Sequence, residues 1–465
     1  MSTDRTFDIT AALERQKLSG FGLQLVVISW LVTFFDGYDM NVISFTAKRL
    51  MAQFHLSTVD YSYVFSSAVV GTILGGFLFG YIGDRIGRRP TIILSTGLFA
   101  LLTLALAFAT DFWSLVGLRF LDGLALGGAM PLIWALNVEF APKARRATVI
   151  TLIMLGYGCG VLVAGPISTV VLPRFDWPGV FVVGAVLSAV ATLLLIPSLP
   201  ESLRFLTNKG RRPDAIRSIL KRMNVVSPDE PVSFVLTDEA PPSRRLLVFK
   251  LFEGRLKWIT PLLWLSYFSS SISTFFVTSW GPSILQDLKF SEAHSAWVTS
   301  MNSLCSMTGG LLLMRFTDRH GPISIAVLPL TAVPLLLVAG LAPISVIGFL
   351  FLLIPISLFL GGSHYGVTSI ISGFYPSDIR ANGTGWCSGV AKIGSVLGPV
   401  IGGFILSPRV LPDVRLSYAL LAVCPLVYGL AVLTIGLIER RQSKGTPAAT
   451  GLAAAAVPAS TSGRA

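Results

Sequence analysis

Two carboxylates stand three residues apart in FFDGYDMN (Phe34 to Asn41), inside a run that is apolar from Phe21 and carries no charge before Asp36. A charge at the centre of a membrane span costs on the order of 3 kcal/mol on insertion scales, and one that is kept is usually functional. Spacing of i, i+3 puts Asp36 and Asp39 on one helical face, which can turn toward a polar cavity, while Gly37 leaves room for a close neighbour. Two carboxylates in a low-dielectric site resist being ionised together, so one of them is a usable proton site. The competing reading is a permanent buried salt bridge that only fixes helix packing.

Further charges fall inside apolar runs: Arg119, Asp122 and Lys392, with His364 as a titratable neighbour. Asp36 and Asp39 lie roughly 14 and 9 Å from the outer end of their span, and Arg119 sits at similar depth on a span running the other way. Arg119 therefore neutralises at least one aspartate, or draws a substrate carboxylate into the bidentate grip that a planar guanidinium allows. Locking Asp122, three residues along its own face, is the alternative. Lys392 is near the midplane, too deep to snorkel easily, which favours a cavity-facing ammonium that meets a substrate carboxylate. His364, in GGSHYG, suits proton exchange or a hydrogen-bonded core position equally. Glu139, at a helix end beside APKARR, fits a proton-coupling role or an interfacial ion pair that serves gating. Trp134, Tyr157, Tyr267 and Tyr365 are aromatics able to stack on a ring-bearing substrate, although most aromatics in such a chain are core or interface.

These groups need a membrane-embedded frame, and the composition supplies it. The chain has 465 residues, 53% hydrophobic and 13% charged, where a soluble domain carries about 25% charged residues. Apolar runs long enough to cross a bilayer are expected as helices at about 21–45, 62–83, 91–109, 113–139, 147–171, 179–197, 258–284, 295–317, 322–341, 344–373, 381–406 and 415–438. The division expected is a segment 1–20, a six-helix bundle 21–197, a linker 198–257, a second bundle 258–438 and a disordered tail 439–465. With an even number of spans, 28 Lys and Arg fall on the face that carries the termini and six on the other, so both termini are expected in the cytoplasm. The net charge of +12 is thus topology, and no nucleic-acid partner is expected. Basic linker residues such as Arg211, Arg212, Lys221 and Arg222 suit contact with anionic membrane lipid. No cleavable signal is evident, so the first span directs insertion. Cys159, Cys305, Cys387 and Cys424 fall within spans and form no metal site or disulfide framework.

The two halves repeat at an offset of 234 residues, which carries Gly75 to Gly309, Asp84 to Asp318, Pro142 to Pro376, Arg146 to Arg380 and Gly160 to Gly394. Duplicated six-helix halves are an architecture of secondary transporters, with a substrate site near the midplane between them. The loop GYIGDRIGRRP (Gly80 to Pro90), with Gly80, Asp84, Arg85, Gly87, Arg88 and Arg89, has a degenerate second copy, RFTDRHGP, containing Asp318 and Arg319. On this loop the chain resembles the major facilitator superfamily, over roughly residues 20–440. DGYD (Asp36 to Asp39), RFLDGLALGGAMP, EFAPKARRAT and FYPSDIRANGTGW resemble the superfamily's aromatic acid:proton symporters, of the benzoate and 4-hydroxybenzoate type.

That resemblance implies an all-α membrane fold of twelve helices in two pseudo-symmetric bundles, and a gating role for the loop residues. It also implies import of a benzoate-type carboxylate with protons across a bacterial inner membrane, powered by the proton motive force without a bound cofactor. Asp36, Asp39, Glu139 and His364 are the expected proton-coupling residues. Arg119, Lys392, Asp122, Trp134, Tyr157, Tyr267 and Tyr365 are expected to bind substrate, and the protein is expected to be monomeric. Lys392 stands where the family tends to carry Arg, and Asp122 where a neutral residue is more usual. An importer of another organic acid, such as an aliphatic dicarboxylate or muconate, and a proton-driven exporter remain alternatives. GSVLGPVIGG (Gly394 to Gly403) has the exporters' pattern, but in the eleventh span rather than the fifth. No nucleophile–base set or metal-ligand cluster is present to support an enzyme.

Overall fold

The computed structural model describes residues 6–9, 20–142, 145–209, 213–223, 225, 233–235, 248–320, 323–376, 379–408, 410–411 and 413–445. The expected disordered tail lies outside these beyond Gly445, as do the side chains of Asp318 and Arg319, whose backbone is helical. The first bundle contains α1 (Gly20–Gln53), α2 (Thr58–Ile86), α3 (Arg88–Leu106), α4 (Phe112–Phe140) and α5 (Arg146–Ser198). Two short linker helices follow, α6 (Leu203–Asn208) and α7 (Pro213–Arg222). The second bundle contains α8 (Leu256–Asp287), α9 (Glu292–His320), α10 (Ile323–Leu341), α11 (Val346–Phe374), α12 (Arg380–Ile405), α13 (Leu416–Leu421) and α14 (Val423–Gly445).

Nine described helical runs are long and apolar enough to cross a membrane, with α13 and α14 together making one of them. One run, α5, crosses twice. Its residue Leu172 meets Arg49 at the face opposite the termini, whereas Ile196 returns to Arg89 at the termini face. The hydroxyl-rich α8 and α9 complete twelve crossings. The expected loop between the fifth and sixth spans is only a kink at Asp176, flanked by Pro173 and Pro178. Asp176 has φ 54° and ψ −167°, a region that costs a non-glycine residue about 1–3 kcal/mol. Its carboxylate offsets this by accepting the N–H of Trp177 at 2.8 Å and Nη1 of Arg49 at 2.8 Å.

Helices run past the apolar cores expected of them. The last turns of α1 add Ala47–Gln53, and α2 begins at Thr58 because Ser57 and Asp60 form a reciprocal capping box. Similarly α14 continues to Gly445, beyond the expected end at 438. The linker is more ordered than a plain polar loop. Ile216, Ile219 and Leu220, on one face of α7, are buried in the same cluster as Phe21, Leu136 and Phe140 of the first bundle and Leu203 of α6. A three-residue parallel pair, β1 (Thr6–Asp8) with β2 (Ser233–Val235), joins the N-terminal segment to the linker.

The repeat is visible as duplicated close contacts. A Cβ on Gly160 would lie 2.0 Å from the carbonyl oxygen of Phe34, and one on Gly394 would lie 2.4 Å from that of Phe268. Gly75 stands in the same relation to Leu124 (2.0 Å), and Gly309 to Leu358 (2.1 Å). In each case both partners shift by 234. Small residues let the backbones of α1 and α5, α2 and α4, and their second-half counterparts approach closely where the membrane gives no hydrophobic drive.

Candidate functional site

Arg119 lies at the centre of the buried charge. One turn along α4 and across to α1, its Nη1 donates to Oδ2 of Asp39 at 2.8 Å and to Oδ2 of Asp122 at 3.0 Å. All three residues are 1% exposed. Thr103 of α3 reaches Oδ1 of Asp122 at 3.0 Å, so three helices of the first bundle share the cluster. Among the described residues, Oδ1 of Asp39 and Nε of Arg119 are buried with no hydrogen-bond partner. The cluster is only partly satisfied, and two carboxylates share one guanidinium. The repeat does not duplicate it: the positions 234 residues on are Ser273, Leu353 and Ile356.

Asp36 is placed differently. It is 8% exposed and, among the described residues, its carboxylate makes no hydrogen bond or ion pair. The neighbour for which Gly37 makes room is the backbone of Tyr157, whose carbonyl oxygen would lie 2.1 Å from a Cβ there. Asp36 sits one turn from Met40 on the same face of α1, and Met40 lines a cavity between the bundles.

That cavity has a volume of about 120 Å³ and draws on α1, α2 and α5 from one half and α8, α9 and α11 from the other. Its wall mixes aromatic faces (Phe65, Tyr157, Phe275, Tyr365) with the hydroxyls of Thr274, Thr278, Ser303 and Ser306. His364 completes the wall, with Nδ1 3.1 Å from the Ser270 hydroxyl and its ring 5.7 Å from that of Tyr267. A second cavity of about 80 Å³ shares Asn41, Thr274 and Ser306 and continues toward the face opposite the termini.

Of the expected substrate-binding residues, the structure brings Tyr157 and Tyr365 to the cavity wall and Tyr267 behind His364. Arg119 and Asp122 are enclosed within the first bundle. Trp134 packs against the cluster of the first bundle's termini end, away from the cavity. Lys392 is exposed on α12, one turn from Val396, whose carbonyl accepts the Ser66 hydroxyl of α2 at 2.9 Å. Among the described residues it has no charged partner. Glu139 pairs with Arg88 and accepts the Ser202 hydroxyl at 2.7 Å. Glu201 accepts the backbone N–H groups of Arg88 (2.8 Å) and Arg89 (3.2 Å), which holds the turn at Gly87, where φ is 111°. Gly80 meets nothing within 4 Å of a built Cβ, and Asp84 is exposed. The sequence reading missed Asn41 and the hydroxyls of α8 and α9. Their only signal was the run SSSIST (Ser269 to Thr274) inside an apolar span.

Opposite the termini the bundles are tied together. Nε and Nη2 of Arg49 grip Glu292 at 3.0 and 2.7 Å, Lys48 pairs with Asp287, and the Thr58 hydroxyl donates to Gly403 at 2.8 Å. The Ser66 hydroxyl adds a bond to the Val396 carbonyl in the same half of the molecule.

Two helical bundles repeated in parallel around a shared cavity, with charge buried beside it, define a membrane transporter rather than an enzyme. The chain belongs to the Major Facilitator Superfamily, whose family model matches residues 29–250 and 263–463. It is 29% identical to the gallate transporter of Pseudomonas putida over 96% of this chain and 98% of that one. It is also 29% identical to the 4-hydroxybenzoate transporter PcaK of Pseudomonas putida, over 92% and 97% respectively. The crystal structure of a D-xylose-proton symporter has the same fold, with a TM-score of 0.66 at 18% identity, covering 90% of this chain and 96% of that one.

Proposed function

We propose that the protein imports an aromatic carboxylate of the benzoate, hydroxybenzoate or protocatechuate type together with protons. It does so in a bacterial inner membrane, as a monomer with both termini in the cytoplasm. The proton motive force supplies the energy, and the two bundles rock about the central cavity. The observation that carries the coupling is Asp36: a buried carboxylate without a partner among the described residues, one turn from the cavity wall. With Asp39 and Asp122 it makes three carboxylates for one guanidinium, so full ionisation leaves excess negative charge in a membrane interior. Protonation of Asp36 removes part of that excess and makes the site fit to receive an anion. The unsatisfied atoms of Asp39 and Arg119 support a cluster that rearranges during the cycle.

The names of the relatives support an aromatic acid, and the wall matches one. Tyr157, Phe65, Phe275 and Tyr365 offer ring faces, and His364 with the Ser and Thr hydroxyls offers donors for a carboxylate. The ion pairs at the face opposite the termini belong, in this reading, to a state closed toward the periplasm. The test is uptake into liposomes driven by an inward proton gradient, across benzoate, 4-hydroxybenzoate, gallate, an aliphatic dicarboxylate and xylose. Accumulation of the aromatic acids is expected. Uptake of the dicarboxylate or xylose without any aromatic acid overturns the reading.

A further inference from the structure

A cavity of about 760 Å³ lies apart from the transport site, on the termini face of the first bundle. Its walls are the α2–α3 turn, the end of α5 and the linker helices α6 and α7. Among the described residues four cations line it, Arg85, Arg89, Lys209 and Arg222, against one carboxylate, that of Glu201. That carboxylate is already committed: its Oε1 accepts the backbone N–H groups of Arg88, Arg89 and Ser202.

The cations themselves have no carboxylate partner among the described residues. Arg85 lies over the Tyr81 ring at 4.3 Å, Arg222 over Phe21 at 4.9 Å, and Lys209 over Phe205 at 5.9 Å. Arg89 donates to the carbonyl of Ile196 at 2.8 Å. Four cations without a carboxylate partner among the described residues, converging on one concavity, repel one another unless an anion sits between them. The repeat carries over only one of the four cations: 234 residues beyond Arg85 stands Arg319, but beyond Arg89, Lys209 and Arg222 stand Ile323, Ser443 and Ala456.

The rest of the wall is apolar (Ile86, Ile93, Pro197, Ile219), and its Ile93 and Pro197 directly adjoin Leu94 and Ile196 along the chain. There Leu94, Leu101, Val190, Leu193 and Ile196 are exposed along α3 and the returning arm of α5. A basic recess continuous with an apolar stripe at the bilayer edge fits one kind of occupant. We propose that this recess binds an anionic glycerophospholipid of the termini-side leaflet. Its phosphate sits among Arg85, Arg89, Lys209 and Arg222, and its acyl chains lie along α3 and α5. Guanidinium groups suit a phosphate, and basic pockets at helix ends on this side of a membrane are known lipid headgroup sites as a class. The bound lipid joins the α2–α3 turn to the linker, two segments otherwise held together chiefly by Glu201 and the packing of α7.

The proposal is independent of the carried substrate. The experiment is native mass spectrometry of the full-length purified protein, titrated separately with cardiolipin, phosphatidylglycerol, phosphatidylcholine and glycerol 3-phosphate. The comparison is the double variant Lys209→Gln/Arg222→Gln, whose residues are exposed and outside the spans. Each basic group near a headgroup is worth roughly fivefold in affinity, so the variant should bind the anionic lipids roughly 30-fold more weakly. Wild type should discriminate against phosphatidylcholine and take up no glycerol 3-phosphate at matched concentration. Equal binding of zwitterionic and anionic lipid, or undiminished binding by the variant, overturns the proposal. Saturation by glycerol 3-phosphate as readily as by lipid also overturns it, because the site would then serve a soluble phosphate. Thermal unfolding of the variant, unchanged without lipid, shows that weaker binding is not misfolding.

Discussion

Replacing Arg119 with methionine is the sharpest probe of the buried cluster. The substitution keeps much of the side-chain length but removes the one cation that, among the described residues, pairs with Asp39 and Asp122, whose oxygens lie 2.8 and 3.0 Å from Nη1. Breaking a buried ion pair by removing one partner costs about 3–5 kcal/mol, because an uncompensated charge stays behind. Here two carboxylates stay behind, each 1% exposed, so Arg119→Met should fall at the upper end of that range. Asp122→Asn leaves a one-to-one pair between Arg119 and Asp39 and keeps an oxygen for Thr103. It should cost about 1.5–3 kcal/mol, the scale of one charge-assisted hydrogen bond. The triple variant Arg119→Met/Asp39→Asn/Asp122→Asn carries no net charge at the site and should recover more than half of the loss in Arg119→Met. The assay is the fraction of detergent-purified protein that remains monodisperse by size exclusion after heating. If Arg119→Met melts with wild type, or the triple variant melts below it, the cluster is not held together by charge compensation and the reasoning fails.

Three further outcomes follow from the geometry. Gln in place of both Arg49 and Glu292 should weaken closure opposite the termini. Each partly exposed ion pair is worth at most about 1 kcal/mol, so labelling of Ser303→Cys from that face should rise a few-fold when Cys159, Cys305, Cys387 and Cys424 are replaced by Ser; unchanged labelling would refute the latch. Gly160→Ala and Gly394→Ala should each force apart a helix pair, since the added Cβ would meet a backbone carbonyl at 2.0 and 2.4 Å, and folded yield should drop in both; normal yield would show that the close packing is dispensable. Tyr157→Leu should raise the KM for an aromatic acid with little change in protein yield, because Tyr157 contributes a ring to the cavity wall; an unchanged KM would remove that ring from the substrate's path.

The charged residues were legible because a membrane span penalises every charge it keeps, so Asp36, Asp39, Arg119 and Asp122 stood out against apolar neighbours. The duplication was legible because Gly75 and Gly309, and Gly160 and Gly394, answer the same steric demand at the same offset. Which carboxylate Arg119 takes was not legible. Asp39 and Asp122 are at similar depth, and only the crossing of α1 with α4 brings both to one guanidinium nitrogen. The cavity hydroxyls were hidden for another reason. Ser and Thr in a span can satisfy themselves on the preceding turn, as Thr274 does on the Ser270 carbonyl at 3.0 Å and Ser303 on Thr299 at 3.2 Å. Their presence therefore does not announce a site. The linker helix α7 was readable in principle, from Ile216, Ile219 and Leu220 at i, i+3, i+4, but its basic residues dominated the reading. The pairing of Thr6–Asp8 with Ser233–Val235 is three residues long on each side and leaves no pattern to read.

The central claim is that Asp36 couples protons to the movement of an aromatic acid. It is tested most directly by comparing wild type and Asp36→Asn in liposomes under two regimes, accumulation driven by a pH gradient and counterflow without one. The account predicts that Asp36→Asn loses gradient-driven accumulation of 4-hydroxybenzoate yet keeps counterflow, since Asn mimics the protonated carboxyl and leaves the cavity intact. Retention of full gradient-driven accumulation by Asp36→Asn would contradict it.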